Sequence, residues 1–240
     1  MSKSDPWIVL QHVAFEGPGT VGPAIGATGA PLSVVRLDLG QPVPAPADIA
    51  AMSGLVALGG PMGVHDELEW LGPERALLRA AVESGLPVLG VCLGSQQLAA
   101  ALGGEVMRGP MPEVGMGEVH LTEEAFDDPV FAPAPTPLPC VHWHGDTFTL
   151  PRGGVRLAGN ESYENQAFRV GEKAYGLQFH VEVTGALVAH WAHHLPPGVF
   201  VRASDVAHVS RAGEGIVRRV VALASADDTN DTAPSIDTTL

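Results

Sequence analysis

Four short runs rich in Val, Ile and Leu, spaced by segments of helix length, constrain this chain more than any other feature. They are Trp7–Val13, Leu32–Leu37, Gly54–Leu58 and Pro87–Val91. Strands that read as near-continuous apolar runs are buried on both faces, which requires helices above and below the sheet. Between them lie Pro73–Ser84, with Ala76, Leu77, Ala80 and Ala81 at helical spacing, and Ser95–Leu102. This β–α rhythm predicts a parallel sheet with helices on both sides. From Val114 onward the pattern changes. Val114–Leu121, Val141–Phe148, Val155–Asn160, Gln166–Val170 and Ala174–Phe179 are short, punctuated by Gly and Pro, and more alternating, as antiparallel strands are. Val183–His194 and Asp205–Ala224 read as helices, the second opening near Ser204 or Asp205. The expectation is one α/β domain over residues 1–224, with a mixed, largely parallel central sheet, and a flexible tail over 225–240. Pro129–Pro139, with its FAPAPTPLP centre, is expected to be a stiff extended connector within that domain.

Charge narrows the class of partner. With 13 basic against 27 acidic residues the net charge is −14, a surface that repels phosphate backbones and anionic lipid. Neither nucleic acid nor a membrane is expected as a partner. The longest apolar stretches, such as Leu86–Val91, fall far short of a membrane span. The start, MSKSDPWIVLQHV, lacks the apolar core and small-residue cleavage site of a secretory signal, so the cytoplasm is the expected compartment. In a reducing compartment the two cysteines, Cys92 and Cys140, make no disulfide framework; each is core filler or a working thiol.

Cys92 stands at the junction of a buried strand and a helix. Gly90-Val91-Cys92-Leu93-Gly94 has the form G-x-nucleophile-x-G, the elbow in which a reactive side chain sits on a sharp turn and flanking glycines let strand and helix approach. The helix N-terminus sets positive dipole beside the sulfur and favours thiolate. It also positions the Leu93 N–H for an oxyanion. The bland alternative is a core cysteine at a strand end. One β-unit earlier, Gly59-Gly60-Pro61-Met62-Gly63 follows a strand and falls at the same carboxyl edge of the sheet. It can supply a second oxyanion donor, the Gly60 N–H. The loop has neither the lysine of a P-loop nor the G-x-G-x-x-G spacing, so a phosphate cradle is the weaker reading. Cys140, between Pro139 and Val141, is expected to be a buried strand residue.

A cysteine nucleophile needs a proton acceptor that returns the proton to the leaving amine. Of ten histidines, His180 alone ends a strand with a carboxylate two residues on, as His180-Val181-Glu182. Alternate residues of an extended segment point the same way, so Glu182 can orient the imidazole and balance its charge. A solvated strand end explains this local pattern about as often. A rival lies in His142-Trp143-His144-Gly145-Asp146, an H-x-H-x-D pattern found in hydrolytic metal sites. Joined to His180 and Glu182 it can form a zinc or two-metal centre. That reading leaves the cysteine elbow beside a glycine loop unexplained, and no metal is expected. His190, His193 and His194 fit a solvated helix face.

Gly59-Gly60-Pro61, Gly90-x-Cys92-x-Gly94-x-Gln96 and Gly176-Leu-Gln-Phe-His180-Val-Glu182, in this order and spacing, closely resemble the class I (triad) glutamine amidotransferase domain over roughly residues 7–195. The resemblance implies a flavodoxin-like mixed sheet flanked by helices. It implies Cys92 as nucleophile, His180 as base and Glu182 as orienter. The oxyanion donors would be the N–H groups of Gly60 and Leu93, and the substrate contacts Gly59, Gln96, His144 and Asp146, with Asp146 toward the α-ammonium. No cofactor is implied. Ser95 stands where many members carry histidine or another larger residue, and Val181 replaces a frequent proline. These departures remove no catalytic group and suggest a stand-alone branch.

The implied reaction is hydrolysis of the glutamine side-chain amide, with ammonia passed to an acceptor or to a separate synthetase subunit. Residues 183–240 carry no nucleotide-binding motif and read as two helices and a tail. A self-contained γ-glutamyl peptide or amide hydrolase is the alternative within the same chemistry. A non-catalytic binding or regulatory protein on this fold is the alternative of another class, and retention of all three reactive residue types argues against it.

Overall fold

A computed structural model describes residues 5–225. Most of the expected tail at 225–240 lies outside the described residues. The central strands are β1 (Trp7–Gln11), β2 (Leu32–Arg36), β3 (Gly54–Ala57) and β4 (Val88–Val91). They are joined by β9 (Ala174–Leu177) in one parallel set ordered β2-β1-β3-β4-β9. β1, β3, β4 and β9 are buried along their whole length, as their unbroken apolar runs require. Beyond β9 the sheet turns antiparallel through β8 (Ala167–Val170), β7 (Gly154–Gly159), β5 (Val106–Leu121) and β6 (Leu138–Phe148). The sheet is therefore mixed, and the switch falls where the sequence changes from continuous to alternating apolar patterning.

Helices cover both faces. The short α1 (Val21–Gly26) packs with α5 (Ala207–Ala222) on one side, over a core that includes Trp7, Val9, Ile25, Val91, Ile216 and Val220. α2 (Leu71–Glu83) and α3 (Leu93–Ala101) pack together on the other, over Leu10, Leu55, Leu77, Leu78, Val88 and Leu98. α4 (Gly185–Trp191) begins at Thr184, whose hydroxyl accepts the Leu187 N–H at 3.2 Å. No helix among the described residues is long and apolar enough to cross a membrane.

α5 opens at Ala207, two residues after Asp205, without a side-chain cap. One local expectation fails. Pro129–Pro139 is no extended connector. Asp128 accepts the N–H groups of Val130 and Phe131 at 2.9 and 3.1 Å, folding the segment into a turn that buries both side chains. Arg169 and Tyr175 hold the Asp128 carboxylate from the sheet, so a long-range charge overrides the extended preference of proline.

Candidate active site

The site forms at the carboxyl edge of the parallel strands. β4 ends at Val91, α3 starts at Leu93, and Cys92 takes the whole turn between them. Its backbone sits at φ 51°, ψ −109°, and it is the only non-glycine residue with positive φ among the described residues. A β-carbon on Gly90 would stand 2.5 Å from the Gly94 carbonyl oxygen, and one on Gly94 would stand 2.1 Å from that of Ala57. Only hydrogen fits at either place, so the two glycines of the motif are what lets α3 start against β3 and β4. Ser95 Oγ donates to the Cys92 carbonyl at 2.7 Å and fastens the first turn.

β9 lies beside β4, and the chain leaving β9 carries the second group. His180 and Val141 exchange backbone hydrogen bonds of 2.8 and 3.1 Å, which tie this extended segment to β6. Buried His180 directs Nδ1 to Glu182 Oε1 at 2.7 Å, and its opposite nitrogen, Nε2, is buried without a hydrogen-bond partner. Burial alone would lower the imidazole pKa. The Glu182 carboxylate and the adjacent Cys92 outweigh it and hold His180 well above its ordinary value. The Cys92 thiol donates to the Trp143 carbonyl at 3.6 Å.

A cavity of about 510 Å³ opens over Cys92, lined by Gly60, Met62, Gln96, Trp143, His144 and Asp146 among others. Gly60 and Leu93 are neighbours, since a β-carbon on Gly60 would come 3.2 Å from Leu93 Cδ2. Leu93 is the first residue of α3, and its N–H has no acceptor one turn back. Gln96 Nε2 donates to Gln178 Oε1 at 3.1 Å. Asp146 lies 3.8 Å from Arg108, which also lines the cavity. Gly59 lies behind the cavity wall. A β-carbon there would stand 2.1 Å from Glu16 Oε2 and 2.9 Å from His180 Cε1.

Sequence reasoning missed three groups around this site. Glu16, on the loop after β1, is buried next to His180 and Glu182. Burial holds its carboxyl up at about 7, with His180 and His12 pulling down and Glu182 pushing up. The loop Phe15-Glu16-Gly17-Pro18-Gly19 follows a strand at the same sheet edge as Gly59, and that position was the available signal. His12 bonds the Gly59 carbonyl through Nδ1 at 3.1 Å and Glu74 through Nε2 at 3.0 Å, and Gln97 donates to the same carboxylate at 2.8 Å. Burial opposes charge on His12, but Glu74 outweighs it and raises its pKa; through its two ring nitrogens His12 ties the glycine loop to α2. Glu113, the third, meets His142 and His144. Those two histidines therefore gather with Glu113, and not with His180, Glu182 or Asp146 as the rival metal pattern requires. Cys140 is fully buried with its thiol pushed up by burial, as befits a core strand residue.

The profile of the glutamine amidotransferase class-I family matches residues 23–189. The chain belongs to this family. It is 32% identical over 188 residues to the glutamine amidotransferase-like protein YfeJ of Salmonella typhimurium, a match covering 76% of this chain and 78% of that one. It is 34% identical over 140 residues to a glutamine-hydrolysing GMP synthase of Porphyromonas gingivalis, and spans only 26% of that protein's length. Among solved structures, a glutamine amidotransferase from Methylobacillus flagellatus superposes with a TM-score of 0.78 at 30% identity, over 93% of this chain and 95% of that one. One from Thermotoga maritima gives 0.78 at 29% identity, over 92% and 97%. Family and fold together make the class-I amidotransferase assignment and agree with a glutaminase-type function.

Proposed function

We propose that this family member hydrolyses the side-chain amide of glutamine with Cys92 as nucleophile, His180 as general base and acid, and Glu182 as orienter. The observation that carries the reading is the meeting of a strained cysteine elbow with a buried His180–Glu182 pair under one cavity. His180 takes the Cys92 thiol proton, and the sulfur attacks the γ-amide carbon as the C=O π bond moves its electron pair onto oxygen. The N–H groups of Gly60 and Leu93 stabilise that oxyanion. Collapse of the tetrahedral species breaks the C–N bond, and His180 gives its proton to the departing ammonia. Water, deprotonated by His180, then cleaves the γ-glutamyl thioester, releasing glutamate and restoring the thiol. Gln96, His144 and Asp146 form the wall that meets the amino-acid end of the substrate. Gly59 acts from behind it, by leaving room for Glu16 and His180.

The named relatives include glutamine-hydrolysing GMP synthases, so ammonia delivery to a separate synthetase subunit is the proposed use of the product. Steady-state hydrolysis by the purified chain, with glutamine set against γ-glutamyl amines and γ-glutamyl dipeptides, tests this reading. Ammonia release that prefers glutamine supports it. Turnover of γ-glutamyl peptides in preference to glutamine would replace it with the self-contained hydrolase. No turnover of any γ-glutamyl compound would remove it.

A further inference from the structure

Glu113 and His142 have no role in the chemistry above, yet with His144, which also lines the cavity, they are built into a tight group. β5 and β6 pair so that Glu113 lies opposite His144 and Gly115 opposite His142. His142 and His144, two apart on one strand, share a face, and Glu113 is directly across from one and diagonal to the other. Their ligating atoms converge. His144 Nε2 is 3.1 Å and His142 Nδ1 3.5 Å from the same oxygen, Glu113 Oε2, and all three atoms lie within 4.8 Å of one another. Donors at about 2.0–2.1 Å around a tetrahedral zinc ion stand roughly 3.3 Å apart, which these two separations bracket.

Hydrogen bonding alone does not account for the group. Both ring nitrogens are buried and neither closes a well-aligned hydrogen bond on the carboxylate it approaches, although His144 lies within hydrogen-bond distance of it and helps hold Glu113 below the usual carboxylate range. That carboxylate is already held by others, Oε2 accepting from Gln166 Nε2 at 2.7 Å and Oε1 from Asn160 Nδ2 at 2.9 Å. The remaining ring nitrogens are engaged, His144 Nδ1 with the Asp146 carbonyl at 3.1 Å and His142 Nε2 with Cys140 Sγ at 3.3 Å. A proton on His144 Nδ1 leaves the Nε2 lone pair facing Glu113, the arrangement in which an outer hydrogen bond fixes a metal ligand. Gly117 makes room for the second ring, since a β-carbon there would stand 2.5 Å from His142 Cδ2. Gln166 Oε1 is also buried and unpartnered, on the same amide that holds Glu113. It would be free to accept from a water completing a four-coordinate ion.

We propose that Glu113, His142 and His144 form a binding site for one divalent transition-metal ion of the zinc class, separate from Cys92, His180 and Glu182. The ion would fasten β5 to β6 on either side of Trp143, whose carbonyl receives the Cys92 thiol. The metal-stripped full chain, titrated with Co²⁺ and then displaced with Zn²⁺, tests this. One equivalent should bind, with the visible bands of four-coordinate cobalt and without the near-ultraviolet absorption of a thiolate ligand. Glu113→Gln and His142→Ala should each weaken binding by about 100-fold or more, with folding checked by circular dichroism, while Cys92→Ser should leave it unchanged. The wild-type titration stands independently of any variant's folding. Absence of a saturable equivalent, a thiolate band, retention of affinity in both ligand variants, or its loss in Cys92→Ser would overturn the proposal.

Discussion

His180 Nδ1 lies 2.7 Å from Glu182 Oε1, two residues further along the same extended segment, with both side chains buried. The other Glu182 oxygen, Oε2, is buried without a partner, so the histidine is this carboxylate's one side-chain hydrogen-bond contact among the described residues. Glu182→Gln keeps the shape and removes the charge. Activity should fall by about 10–10⁴-fold, less than for loss of Cys92 or His180. Because the carboxylate is the largest of the groups that raise the His180 pKa against burial, its loss should move the His180-controlled limb of the kcat/KM profile to lower pH. An unchanged rate and profile would reduce the machinery to Cys92 and His180.

The Cys92 backbone gives a prediction about stability. A non-glycine residue at φ 51°, ψ −109° carries strain of about 1–3 kcal/mol. Glycine in an element normally destabilises relative to alanine, but here the order should invert. Cys92→Gly should be more stable than Cys92→Ala by about 1 kcal/mol in denaturant unfolding, with both inactive. A more stable Cys92→Ala would mean that the turn relaxes and is not imposed by its surroundings.

Glu16 predicts a pH dependence of folding. Its carboxyl is held at about 7 in the folded chain, against an ordinary 4.5. Between those values the unfolded chain releases a proton that the folded chain keeps. Stability contributed here is therefore greatest below pH 4.5, falls as pH rises, and levels off above pH 7. Relative to Glu16→Gln, wild type should lose roughly 3 kcal/mol between pH 4.5 and 8. Parallel stability curves for the two proteins would contradict the burial-driven shift.

Metal removal separates the two sites. The proposed acyl transfer uses a thiol, an imidazole and backbone N–H groups, so the chelated protein should keep its glutamine turnover. A metal bound at Glu113, His142 and His144 should instead raise Tm by mass action, with the logarithm of free ion over its Kd once the site is saturated. Turnover that vanished on chelation and returned with zinc would put the ion on the reaction path.

Much of this was legible because period and punctuation act locally. Apolar runs locate β1 to β4 and β9 within a few residues, and two glycines around Cys92 announce the elbow in the sequence itself. α1 escaped because its six residues include Gly22, Pro23 and Gly26, too short and too poor in helix formers to show a period. Glu113 escaped for a different reason. Its meeting with His144 depends on the β5–β6 register, which shifts between Arg108 and Glu113, and no local pattern encodes that. The turn at Pro129–Pro139 likewise depends on Arg169 and Tyr175 reaching Asp128 from distant strands.

Reaction of the purified chain with an electrophilic glutamine analogue, followed by peptide mass spectrometry and residual activity on the same samples, tests the central claim most directly. The account predicts one adduct per chain, on Cys92, accumulating in step with loss of ammonia release and prevented by excess glutamine. Cys140, fully buried with its thiol held protonated by burial, should stay unmodified. Complete labelling of Cys92 with glutamine hydrolysis undiminished, or an adduct on Cys140 that tracks the loss of activity, would contradict it.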